Sequence, residues 1–161
     1  VLYEPWIDIL VIVLLLIAGL VLLLNRRNRM LKLWSEVARL ELNFHKALFE
    51  TASAYAKNAS LFSHYDDYDY LNRIDRVTKS SFRTLSLEER QAVFKALKTL
   101  YVSLEESDEE AAPELKRRFE TLQTLRLKYN SKILQYNHFI RAFPMRLIAG
   151  RIGFEEKTYF G

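Results

Sequence analysis

Ile9 to Leu24 reads ILVIVLLLIAGLVLLL, a run without one charged or polar side chain. With Trp6, Ile7 and Asp8 it extends to about 19 residues, which as a helix rises roughly 28 Å, the thickness of a bilayer's hydrocarbon core. A buried core helix is the competing explanation, but a chain of 161 residues has too little mass to cover such a helix on every side. A cleaved signal peptide would begin with basic residues and end at a small-residue cleavage site. Here the start is acidic (Glu4, Asp8) and the run passes from Leu22-Leu23-Leu24 directly into Asn25-Arg26-Arg27. The stretch therefore predicts a transmembrane helix over residues 6–24, preceded by a short outer segment, 1–5.

The flanks predict the orientation. Arg26, Arg27, Arg29 and Lys32 follow the span and no Lys or Arg precedes it. Basic flanks stay on the cytoplasmic side, which puts the N-terminus outside and residues 25–161 inside. Trp6 suits the outer interfacial belt, and the arginines can reach inner headgroups. The expected location is a membrane, crossed once.

The composition bounds the chemistry. All 24 Lys and Arg lie beyond Leu24, with every acid except Glu4 and Asp8, so this part is more basic than the chain's net +4. Absence of cysteine excludes disulfides, thiolate metal sites and a cysteine nucleophile. The four glycines form neither a Gly-x-Gly-x-x-Gly nor a Gly-x-x-x-x-Gly-Lys pattern, which excludes most phosphate-cradling loops.

Between Gly19 and Pro113 there is no glycine or proline, so long helices are expected. Leu31, Trp34, Ala38, His45, Leu48, Ala52, Tyr55, Ala59 and Phe62 recur at helical steps. They predict a first helix running from the membrane to His64, with alanines (Ala38, Ala52, Ala56, Ala59) allowing close approach of another helix. Ser63 to Tyr70 reads as a turn whose aspartates cap a short second helix, about Tyr68 to Arg83. Ser86-Leu87-Glu88-Glu89 has capping-box spacing and opens a third helix with Val93, Leu97, Leu100 and Leu104 inward. The acidic run Glu105 to Glu110 is a polar turn. Pro113 starts a fourth helix, whose stripe is Leu115, Phe119, Leu122, Tyr129, Ile133, Tyr136, Ile140 and Phe143, and Pro144 ends it. The expected fold is all-α: one N-terminal transmembrane helix continuing into an antiparallel up-down bundle over 25–144, with a membrane-proximal tail, 145–161. That tail carries Arg146, Arg151 and the apolar Leu147, Ile148, Ile152, Phe154, Tyr159 and Phe160. It either packs on the bundle or lies on anionic headgroups.

Within helix four, Tyr129-Asn130, Tyr136-Asn137 and Phe143-Pro144 follow one another at seven-residue spacing, and Ile148-Ala149-Gly150, Gly153-Phe154 and Tyr159-Phe160 close the chain. This run resembles the C-terminal signature of the LemA family of bacterial membrane proteins. Leu33-Trp34-Ser35 and Tyr55-Ala56 agree with family positions in the first helix, while the stretch between them is shorter than the family pattern. The resemblance implies a membrane-anchored helical bundle with a short outer N-terminus, a cytoplasmic body and no enzymatic activity. The residues themselves place Tyr129, Tyr136 and Phe143 on one face, with Asn130 and Asn137 beside them. Asparagine at a packing seam fixes register at a cost in stability, and the same face is a candidate assembly seam.

Other chemistry is weaker. His64, Asp66, Asp67 and Asp69 have metal-ligand side chains but no second half of a site, so a helix cap is preferred. His45 sits on the apolar stripe as a core histidine, and His138 sits near the membrane end. No Ser/His/Asp set or paired Glu-x-x-His motif is present, and neither a metal nor a cofactor is expected. The densest basic cluster is juxtamembrane, where lipid is the nearer anion than nucleic acid. These features favour a non-enzymatic scaffold that self-assembles through the seam (Tyr129, Asn130, Tyr136, Asn137, Phe143, Pro144) and the tail (Arg146, Arg151, Gly153, Phe154). The alternative is a monomeric tethered adaptor that binds a cytoplasmic protein.

Overall fold

The computed structural model describes residues 4–62 and 65–161, without the side chains of Tyr65, Asp66 and Phe82. Most of the outer segment 1–5 and His64 of the candidate metal cluster thus lie outside the described residues. Among those residues the chain is all-α. The helices are α1 (Pro5–Lys57), α2 (Tyr65–Lys79), α3 (Leu87–Leu104), α4 (Ala112–Arg141) and the single turn α5 (Met145–Ile148), with 3₁₀ turns at Ala59–Leu61, Phe82–Thr84 and Gly150–Ile152.

Helix α1 is continuous for 53 residues, about 80 Å at the α-helical rise. Among the described residues nothing covers its apolar first third: Leu15 and Leu16 are 67% and 68% exposed. A core helix is mostly buried, so this segment is not one. It is long and apolar enough to cross a membrane. The helix ends at Lys57, not at His64 as its stripe predicts. Asn58 Nδ2 donates to the Ala54 carbonyl at 2.8 Å, satisfying a C-terminal acceptor, and the chain tightens into the 3₁₀ turn. That turn brings the Phe62 ring to 5.7 Å from Tyr55, stacked at 19°.

Two compact units follow. One contains the residues up to Val37 with Lys132–Lys157, and the other contains Ala38–Ser131 with Thr158–Gly161. The second is the helical core. Val93, Leu97, Leu100 and Leu104 of α3 are buried as predicted, with Leu71 and Ile74 of α2 and Leu115, Phe119, Leu122 and Tyr129 of α4. Each such aliphatic side chain removed from water contributes about 1.5–3 kcal/mol. Helices α1 and α4 are antiparallel here: Phe44 stacks near Tyr129, and further along α1 the Tyr55 hydroxyl donates to the Leu115 carbonyl at 3.1 Å.

The predicted stripe of α1 is buried at Leu48, Ala52 and Tyr55, with Phe62 just beyond the helix, and departs from the prediction earlier in the helix. Met30, Val37, Phe44 and Thr51 are buried, whereas Leu31, Trp34 and Ala38 are exposed and His45 is half-buried. Two adjacent heptad columns are both apolar, and the one with the bulkier side chains fills the interior. The alanines do not share one environment: Ala52 is enclosed, while Ala38 and Ala59 are exposed.

Helix α2 begins three residues earlier than predicted and ends at Lys79, where Thr78 and Ser80 hydroxyls donate to the carbonyls of Asp75 and Val77. Hydroxyls that bond back to the preceding turn compete with the helix ladder and help stop it. The aspartates consequently sit inside the first turns instead of capping from outside. The α3 cap is as predicted: Ser86 Oγ accepts from the Glu89 amide at 3.2 Å and the Ser86 amide donates to Glu89 Oε2 at 2.6 Å. Ser86→Ala is expected to cost about 1 kcal/mol, read as a lower denaturation midpoint. An unchanged midpoint would show that the cap contributes nothing.

Candidate functional site

Tyr129, Asn130, Tyr136 and Asn137 lie on α4; Tyr129 packs on Phe44 of α1, and the other three hold backbone of the C-terminal segment. In the helical-core unit, Asn130 Nδ2 donates to the Phe160 carbonyl at 2.7 Å and Asn130 Oδ1 accepts from the Phe160 amide at 2.9 Å. In the other unit, Asn137 treats Lys157 identically, with both bonds at 2.8 Å. A carboxamide carries a donor and an acceptor side by side, so it pairs with a peptide group as a neighbouring strand would. Seven residues of helix and three of extended chain each advance about 10 Å, so one heptad of α4 serves three residues of tail. The asparagines therefore clamp extended backbone, whereas the sequence predicts that they fix register at a packing seam.

Around the first clamp, Phe160 is 1% exposed. Its ring stands edge-on to Phe44 at 4.7 Å and to Phe94 at 5.8 Å. Phe94 in turn meets Phe119 at 5.6 Å and carries the Arg126 guanidinium at 5.1 Å from its centroid. Arg90 Nη1 lies 3.3 Å from Nδ1 of His45, which is half-buried beside this cluster. Burial, and then the charge of and hydrogen bond to Glu41, push the Tyr129 phenol above its usual pKa. Tyr55 is pushed up chiefly by burial, with Tyr101 and Glu120 adding.

Around the second clamp, the Tyr136 hydroxyl donates to the Glu155 carbonyl at 2.9 Å and burial raises its pKa. Trp34 packs against Tyr136 at 5.2 Å and edge-on to Phe154 at 6.0 Å, with Lys157 Nζ 5.4 Å over its ring. Lys132 pairs with Glu36 at 2.8 Å. Arg141 Nη2 donates to Glu156 at 2.7 Å, and that hydrogen bond holds the Glu156 carboxyl below its usual pKa. Gly153 makes the return possible. It sits at φ +82°, the left-handed region where a Cβ is strained, and closes the 3₁₀ turn ahead of Phe154, whose amide donates to the Ala149 carbonyl at 2.9 Å.

Phe143 does not belong to this seam. Helix α4 ends at Arg141, two residues short of the predicted end, and the ring is 73% exposed. Pro144 precedes the first residue of α5 and is half-buried. Arg146 and Arg151 are exposed, as are Trp6, Arg27 and Lys32. Arg26 and Arg29 lie 5.8 and 5.6 Å from the Phe139 centroid. His138 is exposed. Asp67 is buried against α3, accepting from Ser103 Oγ at 3.1 Å, while Asp69 is exposed. Among the described residues no group of three His, Asp or Glu is gathered to hold a metal. A groove of about 640 Å³ on the helical core, lined by Phe49, Ser53, Lys57, Ala111 and Arg118 among others, opens widely to solvent.

Sequence reasoning missed Trp34 and Phe160 as partners of the two clamps. Asn130 and Asn137 repeat at the heptad, but the segment they bind carries no matching repeat that would point to it. The profile of the LemA family matches residues 22–161. No curated protein and no solved structure matches the chain.

Proposed function

We propose that this chain, which belongs to the LemA family, is a membrane-anchored, non-enzymatic structural protein that self-assembles at the inner face of a bacterial membrane. The anchor is the uncovered apolar segment of α1. The basic residues after it, Arg26, Arg27, Arg29 and Lys32, support an inside location for the body.

The observation that carries the assembly reading is the outer surface of the helical core. Leu42 of α1 and Leu127 of α4 are 70% and 56% exposed, and Ala38, one turn before Leu42, is exposed too. Apolar residues one helical turn apart on an outer face suit contact with a second copy. The asparagine seam, by contrast, is engaged with the chain's own tail and is not available to a partner.

Light scattering on a sizing column, with the full chain in mild detergent, tests this proposal. A discrete mass of several chains is expected, falling on Leu42→Lys with Leu127→Lys. A mass of one chain plus micelle would overturn assembly and favour the tethered adaptor.

A further inference from the structure

Residues 142–153 form an elbow between α4 and the clamped tail. It comprises Ala142, Phe143 and Pro144, the single turn α5, and the 3₁₀ turn Gly150–Ile152. Met145 and Ala149 are buried, 1% and 4% exposed. The other side carries Phe143, Leu147 and Ile152, which are 73%, 58% and 43% exposed, together with exposed Arg146 and Arg151. The elbow contains no acid.

The height of this surface follows from the pairing of α1 with α4 inside the unit. Glu36 meets Lys132, Trp34 meets Tyr136, and Arg29 and Arg26 meet Phe139. Each step toward the N-terminus of α1 is a step toward the C-terminus of α4. Four residues beyond Phe139 the chain is level with the junction where Leu24 gives way to Asn25. If residues 6–24 span a bilayer, that junction is the headgroup layer. We propose that the elbow is a second membrane contact, resting on the anchor reading above. Phe143, Leu147 and Ile152 enter the headgroup and acyl boundary of the bilayer that α1 crosses, and Arg146 and Arg151 bind its anionic phosphates.

Three features select the bilayer as occupant. The patch is continuous in height with the end of the apolar run. Its charge is uniformly positive, matching an anionic surface. An arrangement of exposed large apolar side chains with arginine between them is what interfacial segments present to lipid. A cytoplasmic protein would have to enter the headgroup layer to reach it. The elbow and α1 would then hold the body at two points and limit its tilt.

The chain lacks cysteine, so single-cysteine variants take one nitroxide label each. The full chain carrying Leu147→Cys or Ile152→Cys is reconstituted in vesicles of phosphatidylethanolamine and phosphatidylglycerol, with Leu16→Cys and Val102→Cys as references, Val102 of α3 being 57% exposed. Accessibility to oxygen is compared with accessibility to a water-soluble nickel chelate. The elbow labels are expected to show an oxygen-to-nickel ratio several-fold above that at Val102, approaching that at Leu16. Arg146→Glu with Arg151→Glu is expected to lower that ratio toward the Val102 value. Nickel-accessible elbow labels beside an oxygen-rich Leu16 label would overturn the elbow contact and leave the anchor standing. A Leu16 label open to nickel would overturn the anchor and the elbow with it. Elbow labels shielded from both reagents would mean that protein covers the patch, which also overturns the inference.

Discussion

Phe160→Ala is expected to destabilise the helical core by about 3–5 kcal/mol, the usual cost of removing a phenyl ring from a packed interior. Terminal residues ordinarily fray and tolerate change. Phe160, next to last in the sequence given, is fully enclosed between Phe44 and Phe94, so its removal leaves a cavity among rings that the helices alone cannot close. Tyr159→Ala, at a 40% exposed neighbour, is expected to cost under about 1 kcal/mol. Denaturant unfolding of the full chain in mild detergent separates the two. Equal midpoints for Phe160→Ala and the parent would show that the terminal ring is not part of the core. Deleting 145–161 is therefore a poor test of assembly, because it removes a core residue along with any contact surface.

Asn137→Leu should release Lys157 from its clamp. The substitution removes one donor and one acceptor and leaves the Lys157 amide and carbonyl without those partners. A destabilisation of about 2–3 kcal/mol is expected, because each unmade buried hydrogen bond carries a desolvation penalty. Asn130→Leu is expected to cost about 1–2 kcal/mol, its site being half-buried. The direct readout is trypsin cleavage after Lys157. In the parent chain the adjoining backbone is held at 2.8 Å on both sides and its ammonium lies over Trp34. Cleavage there should quicken markedly in Asn137→Leu, while cleavage in the helical core stays slow. Identical rates at Lys157 in both proteins would return the asparagines to a role in helix packing.

The two predictions expose where sequence reasoning succeeds and where it fails. The Ser86 capping box involves groups three residues apart, and it stands as read. The inward faces of α3 and most of α4 follow from periodicity, which is a local property of one helix, and they too are as predicted. The end of α1 was misplaced because Asn58 acts through a side-chain bond that an apolar stripe does not register. The sequence misplaces the buried face of α1 only before Leu48, where Met30, Val37 and Phe44 are enclosed in place of Leu31, Trp34, Ala38 and His45, because columns 30/37/44 and 31/38/45 are both largely apolar. Choosing between them requires knowing which bulk fits opposite α3 and α4.

The sequence alone determined an all-α chain, one apolar segment of bilayer length, the basic flank after it, the capped start of α3 and the heptad repeat of tyrosine and asparagine. All of these depend on residues within a few turns of one another. Only the tertiary structure decided what the repeat is for. Its partner is an extended tail with no periodicity of its own, returned by Gly153 and recognised through backbone amides and carbonyls common to almost every residue. A side chain that binds main chain leaves no complementary letter in the sequence, so the clamp becomes visible only when the two segments are brought together in space.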